Sequence, residues 1–245
     1  MATQKIGSIN EEGFIKNLFR KGFNMNRAFS EIIQNCIDAG CSIINCIRIM
    51  DKILISDNGK GMTKAQLTNM WDAYRENHSN EQSGGVSGLG SKPSTLIMSR
   101  TGLVVVYTKS ENDNYIKAIV PWDEIFSDKI YSKKIKIDNM TNDEIKMFQC
   151  YQNNTGTVIE FNYNHELFNC LKMQFCDSKK ILDITQRSDW IFSKFPQTIT
   201  FIDMDKNDKV VLNKYNYFSG HIDDYYELDI VTIEVFKMTN DNIVY

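Results

Sequence analysis

The hydrophobic pattern of residues 24–62 changes period twice with no linker between, and this narrows the folds open to the chain. Residues 24–39 place Phe29, Ile32, Ile33, Cys36 and Ile37 at helical spacing, which predicts an amphipathic helix with one apolar face. Gly40 is a natural C-terminal stop for it. Residues 43–50 and 52–56 then read as paired strands with Met50 and Asp51 near the turn, followed by the loop Asp57-Asn58-Gly59-Lys60-Gly61. Thr63 is a good N-cap for a helix reaching about residue 74. Hairpins interleaved with helices, instead of strict strand–helix alternation, predict an α+β sandwich with helices on one face of a mixed sheet.

The rest of the chain fits that class. Residues 11–20 predict a short helix with Phe14, Leu18 and Phe19 on one side. Residues 75–87 are polar and glycine-bearing and can bury little. A helix opens at Gly88-Leu89-Gly90 and runs to about residue 99. Residues 103–108, 115–120, 134–137 and 157–162 read as strands, and 141–148 as a helix. Beyond them the pattern changes to a helix at 178–195 and strands at 198–203, 209–212 and 228–236, the beginning of a second unit with its boundary near 165–200.

Composition excludes several classes. The 245 residues, 42% hydrophobic and 24% charged, suit a globular protein with a real core. The net charge of -3 and pI of about 5.7 argue against tight, non-specific DNA binding by this piece alone. Lys133, Lys134 and Lys136 form a small basic cluster that reads as a solvated strand or turn. The six cysteines show no C-x-x-C pair, so reduced, buried thiols in an intracellular protein are expected. His78, His165 and His221 show no metal-ligand spacing. No signal-peptide core opens the chain, and no apolar run approaches the ~20 residues of a membrane span, so no membrane partner is expected.

Four short motifs carry the chemistry. On the helix, Glu31, Asn35 and Asp38 lie at i, i+4 and i+7, sharing a face opposite the apolar stripe. Asn35 offers a neutral carbonyl oxygen to Mg²⁺, and Glu31 can take a proton from an attacking water. Asp57 ends an apolar strand, where its carboxylate can accept the exocyclic amine of adenine. Gly59 and Gly61 permit close ligand approach, and Met62 gives a soft apolar surface for a base. Gly88-Leu89-Gly90-Ser91-Lys92 places backbone amides, a helix start and a cation where phosphates can bind, without P-loop or dinucleotide-fingerprint spacing. Gly156-Thr157 starts a strand with a hydroxyl able to bond a base or a bridging water. Each alone has a plainer reading: a solvated helix face, a hairpin turn, a flexible linker, a β-branched strand start.

In this order the set resembles the GHKL superfamily, the Bergerat-fold ATPases that include gyrase-type topoisomerases, MutL, the ninety-kilodalton heat-shock chaperone, sensor histidine kinases and the Microrchidia (MORC) proteins. The likeness spans roughly residues 10–165. Gly88-Leu89-Gly90-Ser91-Lys92, the strand around Val104 to Lys109, and Arg187 to Pro196 look most like MORC proteins, although Pro93 follows Lys92 where a serine is usual. The resemblance implies a Bergerat-fold two-layer α/β sandwich with a mixed sheet over residues 1–170, and the start of a transducer-like α/β unit over 171–245. It implies ATP and Mg²⁺ as ligands, Glu31 as general base and Asn35 as metal ligand. Asp57, Gly59, Gly61, Met62 and Thr157 then surround the adenine, and Asp38 closes the nucleotide-binding helix face. The loop Ser83–Ser91 is the lid that orders over the phosphates, with Gly85, Val86, Ser87, Gly88, Leu89, Gly90 and Ser91 binding the nucleotide, and Lys92 adds a point charge for the phosphates. It further implies slow ATP hydrolysis, an ATP-dependent homodimer acting as a clamp, and DNA or chromatin reached through the dimer or through regions outside this chain. A nucleotide-binding dimerisation module with little turnover, or the ATPase part of a topoisomerase II-, MutL- or chaperone-like protein, is the alternative. The lysine that such ATPases place on the γ-phosphate has four candidates here, Lys194, Lys209, Lys214 and Lys237, and the tail is short for a full transducer, as in a fragment or a reduced member.

Overall fold

A computed structural model describes residues 13, 25–71, 91–99, 102–129, 134–151, 154–162, 198–211, 237–239 and 242–244. The amphipathic helix is α1, Met25–Asp38. It buries Ala28, Phe29, Ile32, Ile33, Cys36 and Ile37, the stripe the spacing required. Its end is a Schellman turn: Gly40 takes φ 73°, Cys41 N–H donates to the Cys36 carbonyl at 3.4 Å, and Gly40 N–H to that of Ile37 at 2.8 Å.

Strands β1 (Ile43–Ile49) and β2 (Lys52–Asp57) form the expected hairpin, with Ile49 opposite Lys52. Met50 supplies the positive φ, 49°, that a tight primed turn needs. Helix α2, Lys64–Met70, opens on Thr63 with a full capping box to Gln66. It ends at Trp71, short of the expected residue 74. Helix α3, Ser91–Ser99, is followed by β3 (Leu103–Lys109) and β4 (Ile116–Pro121), which pair antiparallel.

Two elements differ from expectation. Helix α4, Trp122–Asp128, stands where no helix was predicted; Asp123 and Glu124 favour its N-terminal dipole, and Lys129 closes it in the left-handed region at φ 56°. Strand β5 is Lys136–Asn139, two residues later than predicted. Helix α5 (Asn142–Tyr151) and strand β6 (Gly156–Asn162) follow as expected. Strands β7 (Thr198–Asp203) and β8 (Asp208–Val211) come next. The helices expected at 11–20 and 178–195 and the strand at 228–236 fall wholly or almost wholly outside the described residues, as does the boundary near 170.

Among the described residues, one eight-stranded sheet has the order β5-β4-β3-β6-β2-β1-β7-β8. Every pair is antiparallel except β1–β7, so the sheet is mixed and the fold is α+β. Arg48 on β1 bridges to Asp203 on β7 at 2.9 Å and to Asp205 at 3.3 Å, which fastens the parallel pair. Alternation along the strands gives the sheet two apolar faces. On one, Ile53, Ile55, Val106 and Phe161 pack with α1 and with Leu67, Leu96, Trp122 and Ile125 of the other helices. On the other, Leu54, Val105, Tyr107 and Val158 pack with Phe148 of α5. Helices α1 to α4 therefore lie on one face, as expected, and α5 covers part of the second.

The chain divides into two units, residues 1–213 and 214–245. In the second, strands β9 (Lys237–Thr239) and β10 (Asn242–Val244) form an antiparallel hairpin. Among the described residues no helix is long and apolar enough to cross a membrane. Among the described cysteines, Cys36, Cys41 and Cys46 are buried thiols outside any disulfide, whereas the Cys150 thiol is exposed on the outward side of α5.

Candidate functional site

Strand β2 is buried along Ile53-Leu54-Ile55 and delivers Asp57 to its C-terminal end, where it is 4% exposed. Gly59 N–H donates to the carboxylate at 2.9 Å. Burial pushes the Asp57 pKa up to about 6, while hydrogen bonds from Gly59 N–H, the Cys36 thiol and Thr157 N–H pull it down. The group is thus mostly ionised at neutral pH and keeps its acceptor character. Cys36, on the last turns of α1, is itself raised well above the usual thiol range, by burial first and then by the Asp57 charge.

The loop after Asp57 is fixed at three points. The Asn58 side chain accepts from Ser42 N–H at 2.8 Å and Ile43 N–H at 2.9 Å, and donates to Ser42 Oγ at 2.9 Å. Lys60 N–H donates to the Ala39 carbonyl at 3.0 Å, tying the loop to the end of α1. Met62 N–H donates to Thr108 Oγ1 at 2.8 Å. Close backbone approach makes two glycines indispensable. A Cβ on Gly61 (φ 65°) would lie 2.0 Å from the Lys109 carbonyl oxygen, and one on Gly156 (φ 142°) 2.1 Å from that of Asp57.

Strand register completes the floor. Asp57 pairs with Thr157 across β2–β6, and Thr157 with Thr108 across β3–β6. The three residues form one cross-strand row, in phase with Ile55, Ile159 and Val106, so it lies on the side of the sheet that faces α1 to α4. Thr108 is fully buried and Thr157 is 8% exposed.

The predicted residues Glu31, Asn35, Asp38, Ser91 and Lys92 lie on α1 and α3, which pack together. Glu31 is half-buried, while Asn35 and Asp38 are exposed. The Asp38 carboxylate accepts from Gln34 Nε2 at 2.8 Å. Ser91 opens α3, and Lys92 is buried at 1% exposure. Pro93 sits in the first turn of α3, where its missing N–H costs nothing. Gly85, Val86, Ser87, Gly88, Leu89 and Gly90 lie outside the described residues. Among the described residues, no group of three or more His, Cys, Asp or Glu side chains converges on a metal. Mg²⁺ held jointly with phosphates needs only one or two protein oxygens, and the exposed Asn35 amide fits that demand.

The structure thus brings Asp57, Gly59, Gly61, Met62 and Thr157 into one cluster with the end of α1. It adds three residues that sequence reasoning missed: Cys36 as a donor to Asp57, Asn58 as the loop clamp, and Thr108 as the partner of both Met62 and Thr157. A signal existed for the last, a hydroxyl in phase with the inward Val104 and Val106 of an otherwise apolar strand.

A mixed sheet with helices on one face, a buried strand-end aspartate and a glycine-fixed loop against the first helix define a nucleotide-binding domain of the Bergerat type. Residues 23–157, more than half of the chain and all four motifs, match the family model described as histidine kinase-, DNA gyrase B-, and HSP90-like ATPase. The chain belongs to this family, within the GHKL superfamily, and ATP is the ligand its fold is built for. Among curated proteins, none matches the chain.

Proposed function

We propose that this protein binds ATP with Mg²⁺ and hydrolyses it slowly, using ATP-driven dimerisation as a clamp on DNA or chromatin, in the manner of MORC proteins. The observation that carries the reading is the buried Asp57–Thr157 row beside the glycine-fixed loop, polar acceptors at the edge of an otherwise apolar core. Asp57 takes the adenine amine, Thr157 assists, and Gly59, Gly61 and Met62 let the base approach the loop backbone. Glu31 is the general base: half-buried on α1, it accepts the proton of the attacking water. Asn35 holds the metal through its amide oxygen, with Asp38 on the same face. Bound Mg²⁺ would neutralise charge on the phosphates. Residues 83–91 are the lid in this reading, and Lys92 supplies positive charge at the start of α3. Closing and reopening of lid and dimer, rather than chemistry, sets the turnover. The net charge of -3 and the pairing of Lys134 with Glu124 and Asp128 argue that DNA is met by the assembled dimer or by regions outside this chain, and not by a basic patch at Lys134.

Phosphate release by the wild type and Glu31→Ala, with sizing in a non-hydrolysable ATP analogue, tests this. Both proteins should bind ATP, only the wild type should release phosphate, and the analogue should double the particle mass. Equal turnover removes Glu31 from the chemistry, and an unchanged mass removes the clamp. Asn35→Ala should abolish the Mg²⁺ dependence of binding; retained dependence would remove Asn35 as the ligand.

A further inference from the structure

We propose that Thr108 is a positioning residue for base specificity: it orients the Thr157 hydroxyl so that the base-reading end of the pocket offers hydrogen-bond acceptors only. The inference rests on the reading that Asp57 and Thr157 face the purine.

The geometry is a count of protons. A threonine hydroxyl has one proton to give and two lone pairs to receive. Thr108 is fully buried, so solvent does not enter the count. Its oxygen has three neighbours: Met62 N–H at 2.8 Å, the Gly156 carbonyl at 3.0 Å and Thr157 Oγ1 at 3.3 Å. An N–H can only donate and a carbonyl can only accept. Thr108 therefore receives from Met62 and gives its proton to Gly156, the nearer acceptor. One lone pair is left, and Thr157 satisfies it by donating. The Thr157 proton then points back towards β3, and the lone pairs of its oxygen face away from Thr108.

Asp57, the next residue in the row, is already surrounded by donors. Gly59 N–H donates to one of its oxygens at 2.9 Å, the Cys36 thiol and Thr157 N–H favour its charged form, and the carboxylate keeps acceptor capacity for a ligand. At the purine 6-position, two neighbouring acceptors with no donor between them can receive both hydrogens of an amine and repel a carbonyl oxygen. With the Thr108 hydroxyl removed, the Thr157 proton is free to rotate outward and serve a carbonyl. Discrimination between the two bases is then lost, although Thr108 never touches the ligand.

The test compares the affinity of the full chain for ATP and for inosine triphosphate, whose base carries a carbonyl where adenine carries the amine. The wild type should prefer ATP. In Thr108→Val the ratio of the two affinities should fall roughly tenfold, the worth of about one hydrogen bond. Thr108→Ser, which keeps the hydroxyl, should restore it to within about twofold. Equal weakening of both nucleotides in Thr108→Val, with the ratio unchanged, would show a merely structural role and overturn the proposal. A melting curve establishes that each variant folds. Should Thr108→Val fail to fold, Thr108→Cys decides: its thiol is a poor acceptor for the Thr157 proton, so the ratio should again fall several-fold, and an unchanged ratio overturns the proposal. A wild type that binds neither nucleotide would remove the ATP reading itself, and the proposal with it.

Discussion

Asp57→Asn replaces one carboxylate oxygen by an amide nitrogen of nearly the same size, and the structure sets its consequences on two separate scales. The first is stability. Burial raises the Asp57 pKa from 3.8 to about 6, so holding it ionised in the fold costs about 3 kcal/mol near neutral pH. The folded chain holds this proton more tightly than the unfolded chain. Its contribution therefore favours the fold fully below about pH 3.8 and is lost as pH rises through about 6. Asparagine has no such dependence. It does present an NH₂ to a shell of donors, Gly59 N–H, Thr157 N–H and the Cys36 thiol, at a cost of roughly 1–3 kcal/mol. At pH 7 the two effects oppose, and the variant should melt near the wild type. Relative to the variant, the wild type should lose about 3 kcal/mol of stability between pH 4 and 7 in urea titrations. The second scale is binding. The lost charge-assisted hydrogen bond to the base is worth roughly 1.5–3 kcal/mol, about ten- to a hundredfold in ATP affinity by calorimetry. A folded Asp57→Asn protein that binds ATP within about threefold of the wild type would refute the assignment of this carboxylate to the base.

Other perturbations separate loop geometry from chemistry. Wild-type ATP affinity should fall as pH drops below about 6, where Asp57 protonates, and the variant-to-wild-type ratio should flatten there; a ratio independent of pH between 5 and 8 contradicts this. Gly61→Ala drives a methyl into the Lys109 carbonyl and should cost roughly 3 kcal/mol or more, read as a drop in the urea midpoint; a shift under about 1 kcal/mol would mean the loop relaxes freely. Asn58→Ala removes three side-chain hydrogen bonds and should cost about 2 kcal/mol, with amide exchange accelerated at Ser42 and Ile43; unchanged exchange at both would show that the clamp does not hold the turn.

The parts of this fold legible in the sequence are those set by local pattern. The stripe of α1, the glycine at its end, the β1–β2 turn and the Thr63 capping box each follow from a few adjacent residues. Helix α4 was not legible because it spans seven residues and buries only Trp122 and Ile125, too little to establish a period. Nothing local tells α5 which face of the sheet to cover; Phe148 packs where Leu54 and Tyr107 leave an apolar surface, a choice made by strand register. The joining of β7 to β1 is likewise non-local, with Arg48 and Asp203 lying 155 residues apart. The site divides in the same way. The motif residues announce themselves by type and spacing, whereas Thr108 and Cys36 gain their roles only when β3 and α1 are brought against Asp57.

The most direct test of the account is an experimental structure with a non-hydrolysable ATP analogue and Mg²⁺. It should show the exocyclic amine of the base within hydrogen-bond distance of the Asp57 carboxylate and Thr157 beside it. The triphosphate should run between the Glu31–Asn35 face of α1 and the start of α3. A base seated away from Asp57, or a nucleotide bound elsewhere on the molecule, would contradict it.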